Sequence, residues 1–213
     1  MAHPSLPLLL SLLALLASAP SPGRAEEGPA SPAPPAAAPA QATAAKPEDG
    51  GNRTTGMVFG EGHLFTLEAP RGWLIEGKGE GNNGLAAVFY PRGTSFPEAP
   101  AVLYVNTAAR LRQEKVDDFI ARDIEALRQS SPGVKVERRP TLRTADGKEA
   151  QVREVSGDRW SNRESLAFVT EDSLFVTLVL TARSEEAYRQ SLGAFAELVK
   201  SYKFLTKDVK INR

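Results

Sequence analysis

The most strand-like part of the chain is a pair of apolar runs separated by a short polar break. The runs are Leu166 to Val169 and Leu174 to Leu180, and Glu171, Asp172 and Ser173 lie between them. The second run is dense in β-branched and large apolar side chains, a composition typical of strands. Because it is apolar on both faces, it predicts a strand that is covered on both sides. The two runs therefore predict the central hairpin of a sheet.

Shorter stretches before this hairpin predict further strands. They alternate in polarity or are rich in β-branched and aromatic residues, and turn residues such as Pro and Gly separate them. Asp146-Gly147 is a typical hairpin turn between two of them. The predicted strands are His63 to Leu67, Trp73 to Ile75, Leu85 to Tyr90, Ala101 to Asn106, Val134 to Val136 and Ala150 to Val155.

Two other stretches repeat apolar residues at helical spacing. The first stripe consists of Val116, Phe119, Ile120, Ile124 and Leu127. Charged residues, Asp123 among them, occupy the rest of this helix and are expected on its exposed face. Ser184 is a good N-cap for the last helix. The inner stripe of that helix consists of Tyr188, Leu192, Phe195, Val199 and Tyr202.

Strands followed by a helix, then strands and a second helix, predict an α+β fold with a mostly antiparallel sheet and helices packed on it. The segment Phe65 to Trp73, which ends in Pro-Arg-Gly-Trp, resembles the opening of the PsbP-like fold. The later elements also resemble it, and these are the Phe119 to Leu127 helix, the Asp146-Gly147 hairpin, the strongest strand and the last helix. The resemblance covers roughly residues 57 to 205.

The PsbP-like fold includes the extrinsic PsbP subunit of photosystem II, a nuclear Ran-binding factor and bacterial periplasmic proteins of unknown role. The resemblance implies a three-layer α-β-α sandwich. It also implies no shared catalytic residues, so no active site is transferred to this chain.

Residues 1–25 have the pattern of a secretory signal. The leucine-rich run Leu6 to Leu16 is shorter than the roughly 20 apolar residues that a membrane-spanning helix needs. Ala25, with Gly23 two positions before it, predicts cleavage before Glu26. The alternative is a single membrane anchor. After cleavage we expect no stable membrane span and a periplasmic or secreted chain.

Residues 26–54 contain mostly Pro, Ala, Gly and polar residues, with no large apolar side chain to bury. Such a stretch predicts a disordered linker. Residues 55–206 are then long enough for one domain with a substantial core. A mildly basic tail begins at Lys203, and we expect its end, residues 207–213, to be flexible.

The composition excludes several classes of function. Lys plus Arg and Asp plus Glu each number 26, and this balance argues against a general nucleic-acid binder. The chain has no cysteine, and His63 is its only histidine after the signal segment. A thiolate nucleophile, a His-based triad and a multi-histidine metal site are therefore excluded. We expect no metal, no cofactor and no catalytic residues.

The remaining motifs have ordinary structural interpretations. The segment Gly79 to Gly84 matches G-x-G-x-x-G, but the strand-like run Leu85 to Tyr90 follows it, where a dinucleotide site needs a helix. We therefore expect a hairpin loop there. The adjacent acids Asp117-Asp118 and Glu171-Asp172 are expected at the solvated surface, because acids are rarely buried. We therefore expect the chain not to be an enzyme.

A candidate binding patch lies in the polar crossing before the central hairpin. Trp160, Asn162 and Arg163 place an aromatic ring beside groups that can hydrogen-bond a ligand or partner. The other interpretation makes Trp160 a lid of the core. The predicted function is an exported accessory domain that binds another envelope protein. The alternative is a small-ligand carrier, or a hydrolase, that uses a groove between helix and sheet; a carrier should have an apolar pocket with a few polar groups.

Overall fold

A computed structural model describes residues 53–77 and 85–210 of the chain, and these residues form ten strands and two helices. The first five strands are β1 (Thr55–Gly60), β2 (His63–Glu68), β3 (Trp73–Gly77), β4 (Ala87–Pro91) and β5 (Ala101–Ala109). The others are β6 (Lys135–Arg143), β7 (Glu149–Ser156), β8 (Arg163–Thr170), β9 (Leu174–Ala182) and β10 (Lys203–Thr206). The helices are α1 (Val116–Ser130) and α2 (Glu185–Ser201).

The strands form two antiparallel sheets. The large sheet has seven strands in the order β3-β4-β5-β9-β8-β7-β6, and the small sheet has the order β1-β2-β10. The predicted hairpin, β8–β9, lies at the centre of the large sheet, and every residue of β9 is buried. This prediction is confirmed, because a strand in the middle of a sheet with both faces covered needs apolar residues on both faces.

The large sheet is the middle of three layers. On one face, α2 and the small sheet cover a core that includes Phe65, Leu178, Phe195 and Tyr202. On the other face, α1 covers a second core. Residues alternate between the two faces along each strand. The expected three-layer α-β-α sandwich is therefore present, and its two faces are the α1 side and the α2 side of the large sheet.

The local signals for both helices are confirmed. Phe119, Ile120 and Leu127 of the first stripe are buried under α1. At the start of α2, the Ser184 hydroxyl accepts a hydrogen bond from the Ala187 amide at 3.1 Å, so Ser184 is the N-cap. An oxygen at this position satisfies a helix N–H group that would otherwise have no partner.

The structure corrects several sequence predictions and adds one strand. Lys203 begins β10, which pairs with β2, instead of beginning a tail. Strand β1 was not predicted. Asp123 is buried under α1, not exposed. Leu192 is 39% exposed instead of lying in the inner stripe of α2.

Several predictions concern residues outside the described part of the chain. These are the signal segment 1–25, the linker up to residue 52 and the loop from Lys78 to Gly84 with its G-x-G-x-x-G match. Within residues 53–77 and 85–210, no helix has the length and apolar character needed to span a membrane.

Candidate functional site

A cleft of about 410 Å³ lies between α2 and strands β6, β7 and β8, on the α2 side of the large sheet. Its walls are mostly apolar, and Leu192 of α2 and Pro140 of β6 are exposed members of the apolar lining. The apolar lining consists of Pro140, Leu142, Val152, Leu192, Phe195 and Ala196. The polar lining consists of Arg139, Glu154, Ser165 and Tyr188.

A β-bulge in β6 forms one wall of the cleft. The β6–β7 register passes from Arg139 opposite Val152 to Leu142 opposite Ala150, so β6 contains one extra residue. Pro140 has no N–H group for the ladder, and such a residue is tolerated on an edge strand such as β6. A bulge bends the strand locally and redirects side chains. Here it places Pro140 and Leu142 along the cleft.

Glu154 is the central charged group of the cleft. It is buried, and two arginines neutralise it. Arg139 lies opposite Val152, two residues before Glu154 on the same face, and its Nη2 is 2.6 Å from Glu154 Oε2. Arg163, on β8, forms an ion pair with the other carboxylate oxygen. Arg163 Nε also lies 2.9 Å from Glu185 Oε2 at the start of α2. A buried charge is tolerated when it is paired in this way.

Tyr188 and Ser165 provide the neutral polar groups of the cleft. Their hydroxyl oxygens are 2.7 Å apart and share a hydrogen bond in which either residue can donate. Burial raises the pKa of Tyr188, the hydrogen bond with Ser165 opposes this change, and the nearby Glu154 carboxylate adds to the increase. Tyr188 therefore remains a protonated hydroxyl at neutral pH, suited to hydrogen bonding.

The ionisable groups of the cleft are satisfied within the protein. The acid in the cleft, Glu154, is held by two arginines, and the tyrosine keeps its proton. No described residue of the lining is a histidine, and no group of three or more described His, Asp or Glu side chains is placed to hold a metal ion. The cleft supplies apolar contact area and a hydroxyl pair.

The predicted patch residues lie near this cleft only in part. Arg163 is joined to the cleft by its ion pair with Glu154, which lines it. Trp160 instead packs beside the core on the α1 side, with the Arg159 guanidinium 3.9 Å from the centre of its ring. Asn162 is 4% exposed, and its backbone amide donates to Asp158 Oδ1 at 2.8 Å. Nothing tests binding at this patch, which stays a prediction.

Replacing Trp160 with Ala distinguishes the two interpretations of this residue. The ring is half-buried and packs on the core, so we expect a loss of about 2 kcal/mol of unfolding free energy, less than the ~3–5 kcal/mol of a fully buried aromatic. Urea denaturation measures this loss. A variant with unchanged stability would contradict the interpretation as a lid and leave Trp160 available for binding.

Sequence reasoning missed most of the cleft. Arg139 and Glu154 are ordinary charged residues in their strands, and only the register of β6 and β7 brings them together.

The sequence also led us to expect Glu171 at the surface, which is wrong. The Glu171 side chain is buried and accepts a hydrogen bond from the Tyr202 hydroxyl at 2.8 Å. Lys148 Nζ is 2.5 Å from the same carboxylate. Asp172 is exposed, as expected.

Comparison with known proteins identifies the fold. No family model matches the chain, and no curated protein sequence matches it. LpqN of Mycobacterium tuberculosis, described as involved in cell envelope biogenesis, has a similar structure with a TM-score of 0.52 at 10% identity. The match covers 72% of this chain and 92% of LpqN.

Two further solved structures are similar at lower TM-scores. The cyanobacterial PsbP protein CyanoP from Synechocystis sp. PCC 6803 has a TM-score of 0.48 at 16% identity, covering 76% of this chain and 99% of CyanoP. The Ran-binding protein Mog1p from Saccharomyces cerevisiae has a TM-score of 0.44 at 13% identity, covering 71% of this chain and 95% of Mog1p. The expected PsbP-like fold is confirmed, and at these identities the similarity concerns the fold alone.

Proposed function

We propose that this chain, which has the PsbP-like fold, is an exported, non-catalytic accessory domain that binds a small amphipathic ligand in the cleft between α2 and β6–β8. The observation that carries the proposal is the cleft itself. Its volume of about 410 Å³ lies within the roughly 300–1,000 Å³ of small-molecule sites. Its apolar walls and few polar groups are the features expected of a carrier.

The polar lining indicates which ligand group fits. Glu154 is already neutralised by Arg139 and Arg163, so the cleft offers no unpaired charge to an ionised ligand. Tyr188 and Ser165 can exchange their mutual hydrogen bond for bonds to a hydroxyl or carbonyl group. We therefore expect an uncharged polar group at this end of the ligand and an apolar chain or ring against Leu142 and Phe195.

Export to the periplasm or beyond the cell rests on separate support. The N-terminal 25 residues have the pattern of a secretory signal, followed by a Pro/Ala-rich segment. LpqN, which has a similar fold, is described as involved in cell envelope biogenesis. Both observations favour a role at the cell envelope.

Filling the cleft tests the proposed function. N-phenyl-1-naphthylamine, an uncharged apolar fluorophore, serves as the probe, and we expect its fluorescence to rise on binding the parent chain. Ala196→Trp places a large ring in the cleft and should weaken binding at least tenfold, since the probe and the ring compete for one volume. The matched control is Gln190→Trp, which adds the same side chain at an exposed position of α2.

Two results would contradict the ligand site. One is equal binding by the parent and by Ala196→Trp, which would place the probe elsewhere. The other is an equal loss of binding in Gln190→Trp, which would indicate a general effect of tryptophan on α2. Circular dichroism melts of all three chains establish that each variant is folded.

Contact with another envelope protein is a second candidate function, favoured by one observation. Met57 and Phe59 of β1 are each 68% exposed, and Leu205 of β10 is also exposed. The side chains of Met57 and Phe59 lie on the outer face of the small sheet, opposite the buried Val58 and Phe65. Exposed apolar patches of this kind mark interaction surfaces. Crosslinking tests this function. A crosslink to one envelope protein should be lost in Phe59→Ser and retained in Ala196→Trp.

A further inference from the structure

Two arginines lie side by side on the face of the sheet opposite the cleft. Arg138 of β6 is directly opposite Arg153 of β7 in the antiparallel register. Val155, two residues after Arg153 and therefore on the same face, packs in the core on the α1 side. Like charges directly opposite each other destabilise a strand pair. This pair is thus an unfavourable arrangement for the isolated fold.

The two guanidinium groups converge on a single neutral oxygen. Gln151 Oε1 accepts a hydrogen bond from Arg153 Nη2 at 2.9 Å and from Arg138 Nη2 at 3.4 Å. Arg153 Nη1 donates to the Val152 carbonyl at 3.0 Å. The hydrogen bonds of the two guanidinium groups thus go to neutral oxygens, whereas a guanidinium forms its strongest bonds with carboxylate or phosphate.

Carboxylates do little to neutralise this pair. Asp117 of α1 is 3.8 Å from Arg153 Nη2, and its side chain is largely exposed. Among the described residues, no carboxylate oxygen lies within 4 Å of Arg138. Neighbouring arginines differ, since Arg143 is 3.3 Å from Glu149 Oε1. Arg138 and Arg153 together therefore have one distant carboxylate, that of Asp117, for two facing charges.

Burial makes the missing partner more costly. The Arg153 side chain is only 11% exposed. Burial lowers the pKa of Arg153, the Arg138 charge lowers it further, and Asp117 opposes both effects. A charge that is held away from water without a close counter-ion is unusual in a folded protein, unless the site receives the counter-ion from outside.

We propose that Arg138, Arg153 and Gln151 form a binding site for a phosphate-type oxyanion, which bridges the two guanidinium groups. Two or more oxygens of the anion accept hydrogen bonds from the N–H groups of the two guanidinium groups, the geometry in which arginine recognises phosphate. The site is independent of the cleft, because it lies on the other face of the sheet. The phosphate is either a free ion or part of a lipid headgroup.

An isosteric substitution gives a direct test. Gln151→Glu places a carboxylate oxygen at the point where both arginines converge, so the protein supplies its own counter-ion. We expect the parent chain to bind inorganic phosphate in NMR titrations at constant ionic strength. Gln151→Glu and Arg138→Gln should each weaken this binding at least tenfold. Arg143→Gln is the control, since it removes a charge from the same strand but spares the pair.

Thermal melts provide a second readout that also works without a ligand. Gln151→Glu should raise the melting temperature in phosphate-free buffer, because it neutralises a repulsive pair. Phosphate should then stabilise the parent but not this variant. If phosphate affects the parent, Gln151→Glu and Arg143→Gln equally, the effect is a general salt effect and the proposed site is wrong.

Vesicle flotation distinguishes the two sources of phosphate. Vesicles of pure phosphatidylcholine and vesicles with added phosphatidylglycerol are mixed with the chain. If the parent chain floats with the anionic vesicles and Gln151→Glu and Arg138→Gln do not, the ligand is a lipid headgroup. If the parent binds inorganic phosphate but neither kind of vesicle, the ligand is a free ion. If neither probe binds, the proposal is overturned.

Discussion

Replacing Phe175 with Ala is expected to lower the free energy of unfolding by about 3–5 kcal/mol, the usual cost for a fully buried aromatic side chain. Phe175 lies in β9 at the centre of the large sheet and has no exposed surface. Its ring stacks on Phe119 of α1 with 4.5 Å between centroids, and the Arg110 guanidinium lies 5.7 Å from its ring centre. The substitution therefore removes contacts to the sheet and to α1 at once.

The same chemical change at an exposed position serves as the control. Phe59→Ala in β1 removes an equally large ring that is 68% exposed, so we expect a loss below about 1 kcal/mol, from cross-strand contacts alone. Urea denaturation of both variants measures the difference. Similar losses in the two variants would mean that the packing of α1 against β9 contributes little to stability.

The core was predictable because its signals are local. The unbroken apolar run of β9 indicates a strand covered on both faces, and the apolar stripe of α1 indicates a helix with one buried face. Ser184 indicates where α2 begins. Each signal depends on a few consecutive residues and on the geometry of a single element, so sequence alone was sufficient.

Strand β1 was missed because glycines interrupt its strand-forming residues. Two of its six residues are glycines, which are depleted in strands. Gly56 packs closely against β3, since a Cβ at this position would be 2.1 Å from Ile75 Cδ1 and the end of that side chain would have to move. This close approach of two sheets is a tertiary feature, and no pattern within β1 indicates it.

The polar groups of the cleft and of the anion site were missed for a related reason. Arg138 and Arg139 are adjacent in sequence, yet they point to opposite faces of the sheet and meet different partners. Arg139 is paired with Glu154, and Arg138 faces Arg153. A charge pattern along one strand cannot show this difference, because it depends on register with the next strand.

Buried acids on the α1 side were also invisible in the sequence. Glu164 of β8 is only 3% exposed, and it lies opposite Thr181 of β9 in the register. Burial raises the pKa of Glu164 from 4.5 to about 7, Thr181 opposes this change, and the Asp158 charge adds to it. Burial likewise raises the pKa of Asp123 to about 6, against the effect of Arg122.

These acids belong to one buried polar region. The Tyr104 hydroxyl has no hydrogen-bond partner among the described residues, and burial and the charges of Glu164 and Asp123 raise the pKa of Tyr104. The Thr181 hydroxyl also lacks a well-formed hydrogen bond there. An ionised Glu164 would therefore be a buried charge without a cationic partner, which folding disfavours. The region is most stable when Glu164 carries its proton.

The stability of the chain should consequently fall as the pH rises from about 4.5 to 7. The folded state holds the Glu164 proton up to pH of about 7, whereas the unfolded chain releases it near 4.5. The folded state thus binds more protons in this window, and the unfolding free energy decreases with pH. From pH 5 to pH 8 the expected loss due to Glu164 is about 2–3 kcal/mol.

Glu164→Gln tests this argument, because the amide has the shape of the protonated acid but cannot ionise. We expect the variant to resemble the parent at pH 5 and to exceed its unfolding free energy by about 3 kcal/mol at pH 8. Asp123→Asn is the companion variant. The pH dependence of unfolding free energy that it removes should lie at lower pH, since the pKa of Asp123 is about 6. Urea denaturation at both pH values measures the difference. Parallel pH profiles for the parent and Glu164→Gln would mean that Glu164 is already ionised in the folded state at pH 5, and that water or a partner stabilises its charge.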